Sequence, residues 1–90
     1  MTKQSWQIVV ASSVEHKLET IPEKFATAIV EFILGPLVEN PHRVGRPLQR
    51  ELLGLWSARR GIYRVIYEID EKNLTIKVVR IDHRCDVYRR

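Results

Sequence analysis

Leu55-Trp56-Ser57-Ala58-Arg59-Arg60-Gly61-Ile62-Tyr63-Arg64-Val65-Ile66-Tyr67, followed after an acidic turn by Leu74 onward to Arg84-Cys85-Asp86-Val87-Tyr88, sets the architecture of the chain. Two runs rich in Val, Ile and Tyr meet at a glycine, which is the pattern of a hairpin. A turn at Arg60-Gly61 lets the glycine take the positive φ that tight hairpins need. That turn pairs Arg59 with Ile62, Ala58 with Tyr63 and Ser57 with Arg64. Side chains alternate faces along a strand. Trp56, Ala58, Tyr63, Val65, Tyr67 and Ile69 therefore share one face, which is a core. Leu55, Ser57, Arg59, Ile62, Arg64 and Ile66 share the other, and an arginine in mid-strand there is the first functional clue.

A four-residue turn over 70–73 adds a third strand and pairs Ile69 with Leu74, Tyr67 with Ile76 and Val65 with Val78. Leu74, Ile76 and Val78 then join the core, while Thr75, Lys77, Val79, Ile81 and His83 face away with Arg64. The three strands fall at roughly 54–59, 62–70 and 74–82. Upstream, residues 6–11 form a short β-rich run. Ser12-Ser13-Val14-Glu15 reads as a capping box that opens a helix whose apolar face is Val14, Leu18 and Ile21. Thr20-Ile21-Pro22-Glu23 repeats the signal, with proline in the first turn. A second helix follows, with the stripe Phe25, Ala28, Ile29, Phe32 and Ile33. Gly35-Pro36 ends or kinks it, and residues 41–54 are a connector without a long helix. The expected fold is α+β in the order β-α-α-β-β-β: an antiparallel sheet, two helices packed on one face, and a basic open face.

Ninety residues imply one domain over 1–90. A hydrophobic fraction of 44% and a charged fraction of 29% are those of a globular protein with an ordinary core. No apolar run reaches the length of a membrane span, and the first residues lack the layout of a signal peptide, so the expected address is the cytoplasm. One cysteine cannot form an internal bridge, and histidines scattered at 16, 42 and 83 predict neither a metal site nor a cofactor. Cys85 has basic neighbours but no base beside it, and is read as incidental.

The net charge of +4 is unevenly placed. Residues 1–40 carry −2, residues 41–64 carry +5 with six arginines, and residues 65–90 carry +1. Arginine presents a planar fork that fits phosphate. The hairpin's second face mixes Arg59 and Arg64 with Ile62, Ile66, Val79 and Ile81, and Arg43, Arg46 and Arg50 of the connector can edge it. Such a face is too apolar to be left bare and too charged to be core, so a ligand, a partner or the chain's own tail covers it. Nucleic acid or an acidic protein segment is the class favoured.

At Arg59-x-Gly61-x-Tyr63-Arg64-x-x-Tyr67, followed by His83-Arg84-x-x-x-Tyr88, the chain resembles the RelE/ParE toxin superfamily. Val44-Gly45-Arg46-Pro47-Leu48-x-Arg50-x-Leu52-x-Gly54 directs the resemblance to the RelE branch and its mycobacterial-type members. It covers nearly the whole chain. It implies the toxin of a type II toxin–antitoxin pair, neutralised by a RelB-like antitoxin, that cleaves messenger RNA in the ribosomal A site. The implied chemistry is metal-independent: the RNA's own 2′-hydroxyl attacks the adjacent phosphate. By the same resemblance Arg64 and Arg84 hold the phosphate and its developing charge. Tyr88 orients a base or moves a proton, and His83 is the alternative acid or base, imidazole being the side chain suited to proton transfer near neutral pH. Arg43, Arg46 and Arg50 steer RNA by charge. The family pattern has lysines at the positions of Leu55 and Ser57. Arg59 and Arg60 can replace their charge but not act as bases, which implies a weak nuclease. A gyrase-inhibiting toxin of the ParE kind and a non-catalytic RNA- or antitoxin-binding module are the alternatives.

Overall fold

The computed structural model describes residues 6–49 and 54–83. Strand β1 (Gln7–Val10) is followed by helices α1 (Ser12–Thr20) and α2 (Glu23–Phe32), the one-turn helix α3 (Pro41–Val44) and the two-residue strand β2 (Arg46–Pro47). The meander β3 (Leu55–Arg60), β4 (Tyr63–Asp70) and β5 (Thr75–His83) completes a five-stranded sheet in the order β1-β5-β4-β3-β2. The architecture is the expected α+β, with one correction: β1 lies parallel to β5, so the sheet is mixed. The edge of β3 is taken by β2, which leaves β5 as the open edge for the first strand, and β5 happens to run in the same direction.

Both hairpin registers are displaced by two residues from the expected pairing. Arg60 pairs with Tyr63, Arg59 with Arg64, Ala58 with Val65 and Trp56 with Tyr67. Gly61 and Ile62 are therefore the turn, and Gly61 at φ +63° supplies the positive φ at its first central position. Because the slip is even, each side chain of β3 and β4 keeps its expected face. The next turn begins one residue later than expected, with Asp70 paired to Thr75 and Ile69 to Ile76. Asn73 donates from its backbone and side-chain nitrogens to the Asp70 carboxylate at 3.2 and 2.8 Å, which lowers the pKa of that group. Leu74 closes the turn at φ +50°.

Farther along β5 the alternation breaks. Tyr67 pairs with Val78 but Ile66 pairs with Arg80, so Val79 is an extra residue in a bulge. One inserted residue inverts the faces beyond it. Ile81, expected on the open face, is 3% exposed in the core instead. His83 pairs with Tyr63 and sets its ring edge-on to it at 5.2 Å, on the core side and away from Arg64. Arg80 and Asp82 take the open face in their place, with Asp82 opposite Arg64.

The helices cover one sheet face. Val14, Ile21, Ile29, Phe32, Ile33 and Leu37 meet Ala58, Tyr63, Val65, Tyr67, Ile76, Val78 and Ile81 in a single core. Neither capping box forms. Ala11, not Ser12, precedes α1, and the Thr20 hydroxyl donates back to the Lys17 carbonyl at 2.8 Å. Pro22 occupies the cap of α2, and its carbonyl accepts from the Phe25 and Ala26 amides. Gly35-Pro36 does not end α2. Residues Ile33–Leu37 form one π-helical turn, and Asn40 then donates to the Pro36 carbonyl at 3.1 Å. A proline cannot donate to the helix ladder, and a widened turn absorbs that loss while Ile33 and Leu37 stay buried.

A methyl group at Gly61 would meet nothing within 4 Å, so any cost of replacing it comes from the left-handed backbone alone. Gly61→Ala is expected to lower unfolding free energy by about 1–2 kcal/mol in urea titrations, and Gly61→Asn by less. Equal losses from both would contradict the positive-φ turn.

Candidate functional site

The sheet face opposite the helices holds an open hollow of about 720 Å³. Of the nine residues that line it, four are arginines (Arg43, Arg46, Arg59 and Arg64) and none is acidic. Register explains the convergence. Residues directly opposite in an antiparallel pair project to the same side. Arg59 stands opposite Arg64, and Arg46 opposite Ser57. Two like charges directly across a strand pair repel, by roughly 0.2–1 kcal/mol on the scale of such pairs. An anion placed between them relieves that cost.

Arg43 and Arg46 reach the hollow because the connector is clamped to the core. The Tyr67 hydroxyl donates to the Pro41 carbonyl at 2.7 Å in a buried bond. Gly45 then passes so close to the same tyrosine that an added Cβ would overlap its hydroxyl and lie 2.9 Å from the Ser57 carbonyl. From there β2 adds to the edge of β3, and Leu48 donates to the Leu55 carbonyl at 2.8 Å. On its outer side α3 is held by His42, whose Nε2 lies 2.8 Å from Glu71 and whose ring sits edge-on to Trp6 and Trp56 at 5.9 and 5.4 Å. Burial raises the Tyr67 pKa to about 12, so its hydroxyl keeps the donated proton at neutral pH.

The remaining expected site residues divide. Arg60 lies on the helix side, its guanidinium 5.5 Å from the Phe32 ring centroid, and does not join the hollow. His83 is on that side too. Ile66 is on the hollow's face and buried, while Ile62 is in the hairpin turn and exposed. Asp82, across from Arg64, is gripped by Arg80 through bonds of 2.7–3.0 Å, and this pairing raises the Arg80 pKa. Arg50, Arg84, Cys85 and Tyr88 lie outside the described residues. Among the described residues no three His, Cys, Asp or Glu side chains converge as metal ligands, and no helix is long and apolar enough to cross a membrane.

Residues 8–88 match the model of the ParE toxin of the type II toxin–antitoxin system parDE. The chain belongs to this toxin family. It is 51% identical over 73 residues to Toxin RelG of Mycobacterium tuberculosis, covering 81% of this chain and 84% of the relative. It is 44% identical over 84 residues to Toxin RelE of the same organism, covering 93% and 87%. The toxin–antitoxin complex RelBE2 of M. tuberculosis contains a chain that superposes with a TM-score of 0.86 at 41% identity, covering 90% of this chain and all of that one. The chain is thus a type II toxin of the RelE/ParE superfamily, and the RelE resemblance in its sequence is matched by both relatives.

Two residues of the toxin's scaffold escaped the sequence reading. Gly45 sits in an arginine- and proline-rich connector, where its role is close approach rather than positive φ, and no local pattern signals that. Tyr67 reads as core by parity, which it is, but its hydroxyl partner is 26 residues away in sequence.

Gly45→Ala is expected to destabilise the toxin by about 1–3 kcal/mol, the usual range for overpacking, measured by denaturant titration. An unchanged midpoint would show that the connector is not clamped. The pH dependence follows from Tyr67, whose folded pKa lies above its unfolded value near 10. Its contribution is fully present below pH 10 and is lost as pH rises toward 12, a fall on the order of 2–3 kcal/mol. Tyr67→Phe should be less stable at neutral pH and show a shallower fall over that interval. A parallel loss in both proteins would sink the assignment.

Proposed function

We propose that this toxin is a ribosome-dependent endoribonuclease that cuts messenger RNA in the A site. The single observation that carries the reading is the arginine-lined hollow in which Arg59 and Arg64 face each other across two strands. In the reaction the 2′-oxygen loses its proton and forms a bond to the adjacent phosphorus, while the bond from phosphorus to the 5′-oxygen breaks. The products are a 2′,3′-cyclic phosphate and a protonated 5′-hydroxyl. Arg64, with Arg84 from the tail, holds the phosphate oxygens and the charge that builds on them. Arg59 adds to that field. Tyr88 is the first candidate for proton transfer. His83 is the second, because its ring would have to leave Tyr63 and turn around the end of β5 to reach Arg64. Leu55 and Ser57 supply no cation, so the rate is expected to be low.

The chemistry needs no metal ion. The partner proposed is a cognate RelB-like antitoxin, in keeping with the RelBE2 complex among the solved structures. It would cover Val30 and Leu34, which are exposed one turn apart beyond the core stripe of α2, and place acidic groups against the arginines.

The uncharged Leu55 and Ser57 favour one rival, a gyrase-inhibiting toxin that performs no RNA chemistry. Primer extension on messenger RNA within minutes of induction decides between them. Codon-phased cuts are expected; relaxed or cleaved DNA with intact RNA would replace the nuclease by the rival. Arg64→Ala should reduce cutting by about 10²–10³-fold, the usual effect of removing one donor to a developing oxyanion. Undiminished cutting by the folded variant would remove Arg64 from the site.

A further inference from the structure

The four arginines of the hollow do not all stand at one point. Arg59 and Arg64, directly opposite each other, face the reacting phosphate, with Arg84 as the further donor proposed above. Arg46 stands elsewhere. It lies on β2, two strands from β4, and opposite Ser57, two residues from Arg59. Strand spacing and residue rise place its Cα about 12 Å diagonally from that of Arg64. Arg43, three residues earlier in the chain, lines the same hollow, and both side chains are exposed. Ser57 and Gly45 line the same hollow.

We propose that Arg43 and Arg46 form a second phosphate subsite, which grips the RNA phosphate neighbouring the one held by Arg59 and Arg64. The subsite rests on the nuclease reading and deepens it: substrate is engaged through two phosphates, one reacting and one anchoring. Its position is fixed by the connector's clamp on Tyr67, so the anchor sits at a set distance from the reacting bond. That spacing orients the scissile linkage, which a single gripped phosphate leaves free to rotate.

The test measures binding of the toxin to ribosomes whose messenger RNA carries a 2′-deoxynucleotide at the cut site, so that affinity is read without cleavage. A methylphosphonate, which is uncharged, replaces either the scissile phosphate or one neighbour at a time. The wild-type toxin is expected to lose roughly tenfold in affinity at one neighbour, as removal of one charge-assisted hydrogen bond would give. Arg46→Gln should lose affinity on the unmodified RNA and be nearly insensitive to that same replacement, while keeping its full response at the scissile phosphate. Arg46→Lys, which keeps the charge without the fork, should fall between. If neutralising either neighbour costs wild type and Arg46→Gln equally, or costs neither anything, the subsite is overturned and the nuclease reading stands. If wild type is indifferent to the scissile replacement as well, or does not bind the programmed ribosome, both fall together. The replacements act on the RNA, so a folding defect in one variant does not blunt the wild-type comparison.

Discussion

The arrangement of this toxin depends on one buried bond, from the Tyr67 hydroxyl to the Pro41 carbonyl. Tyr67 is fully buried in β4, the strand between β5 and β3, and its hydroxyl emerges where the chain returns from α2. A buried hydroxyl without a partner costs a few kcal/mol in round terms, so the connector has to supply an acceptor there. Once Pro41 does so, the close approach of Gly45 and the pairing of Arg46 with Ser57 follow within a few residues. A segment rich in arginine and proline, which has little tendency to order by itself, is thereby fixed against the edge of a rigid sheet.

The two faces of that sheet separate stability from chemistry. Helices α1 and α2 bury one face around Tyr67, Val65, Ile76 and Val78. The other carries Arg59 and Arg64 opposite each other across one strand pair. The bulge at Val79 sharpens the division. It turns Ile81 inward to extend the core and turns Asp82 outward beside Arg64, where Arg80 holds its carboxylate. Charge that opposes folding in the free toxin is the same charge that favours an anionic ligand, whether RNA backbone or an acidic antitoxin segment.

The sequence carried the strands, the two helices and the face of each β3 and β4 residue, because period-two alternation survives a register error of two. It did not carry the bulge. Thr75-Ile76-Lys77-Val78 alternates strictly, but two valines stand together at Val78-Val79 and the apolar phase shifts to Ile81 beyond them. An alternation carried unbroken through Val79 puts His83 on the wrong side. The capping signals are displaced as well: Ser12 stands one residue from the cap position that Ala11 occupies, and Thr20 two residues from that of Pro22. Within the site, Arg59 and Arg64 were legible from the hairpin itself. Arg43 and Arg46 were legible only as charge, since their place depends on a contact between residues far apart in the chain. Arg60 reads as a turn residue in the sequence, and only the two-residue shift of register makes it the last residue of β3, on the helix side.

The most direct measurement is a structure of the toxin on a ribosome whose messenger RNA is blocked from cleavage by a 2′-deoxynucleotide in the A site. The account predicts a phosphate of that codon in the hollow, with oxygens within hydrogen-bonding distance of Arg64 and Arg59. Messenger RNA running against α1 and α2, with the arginine hollow turned away from every phosphate, would contradict it.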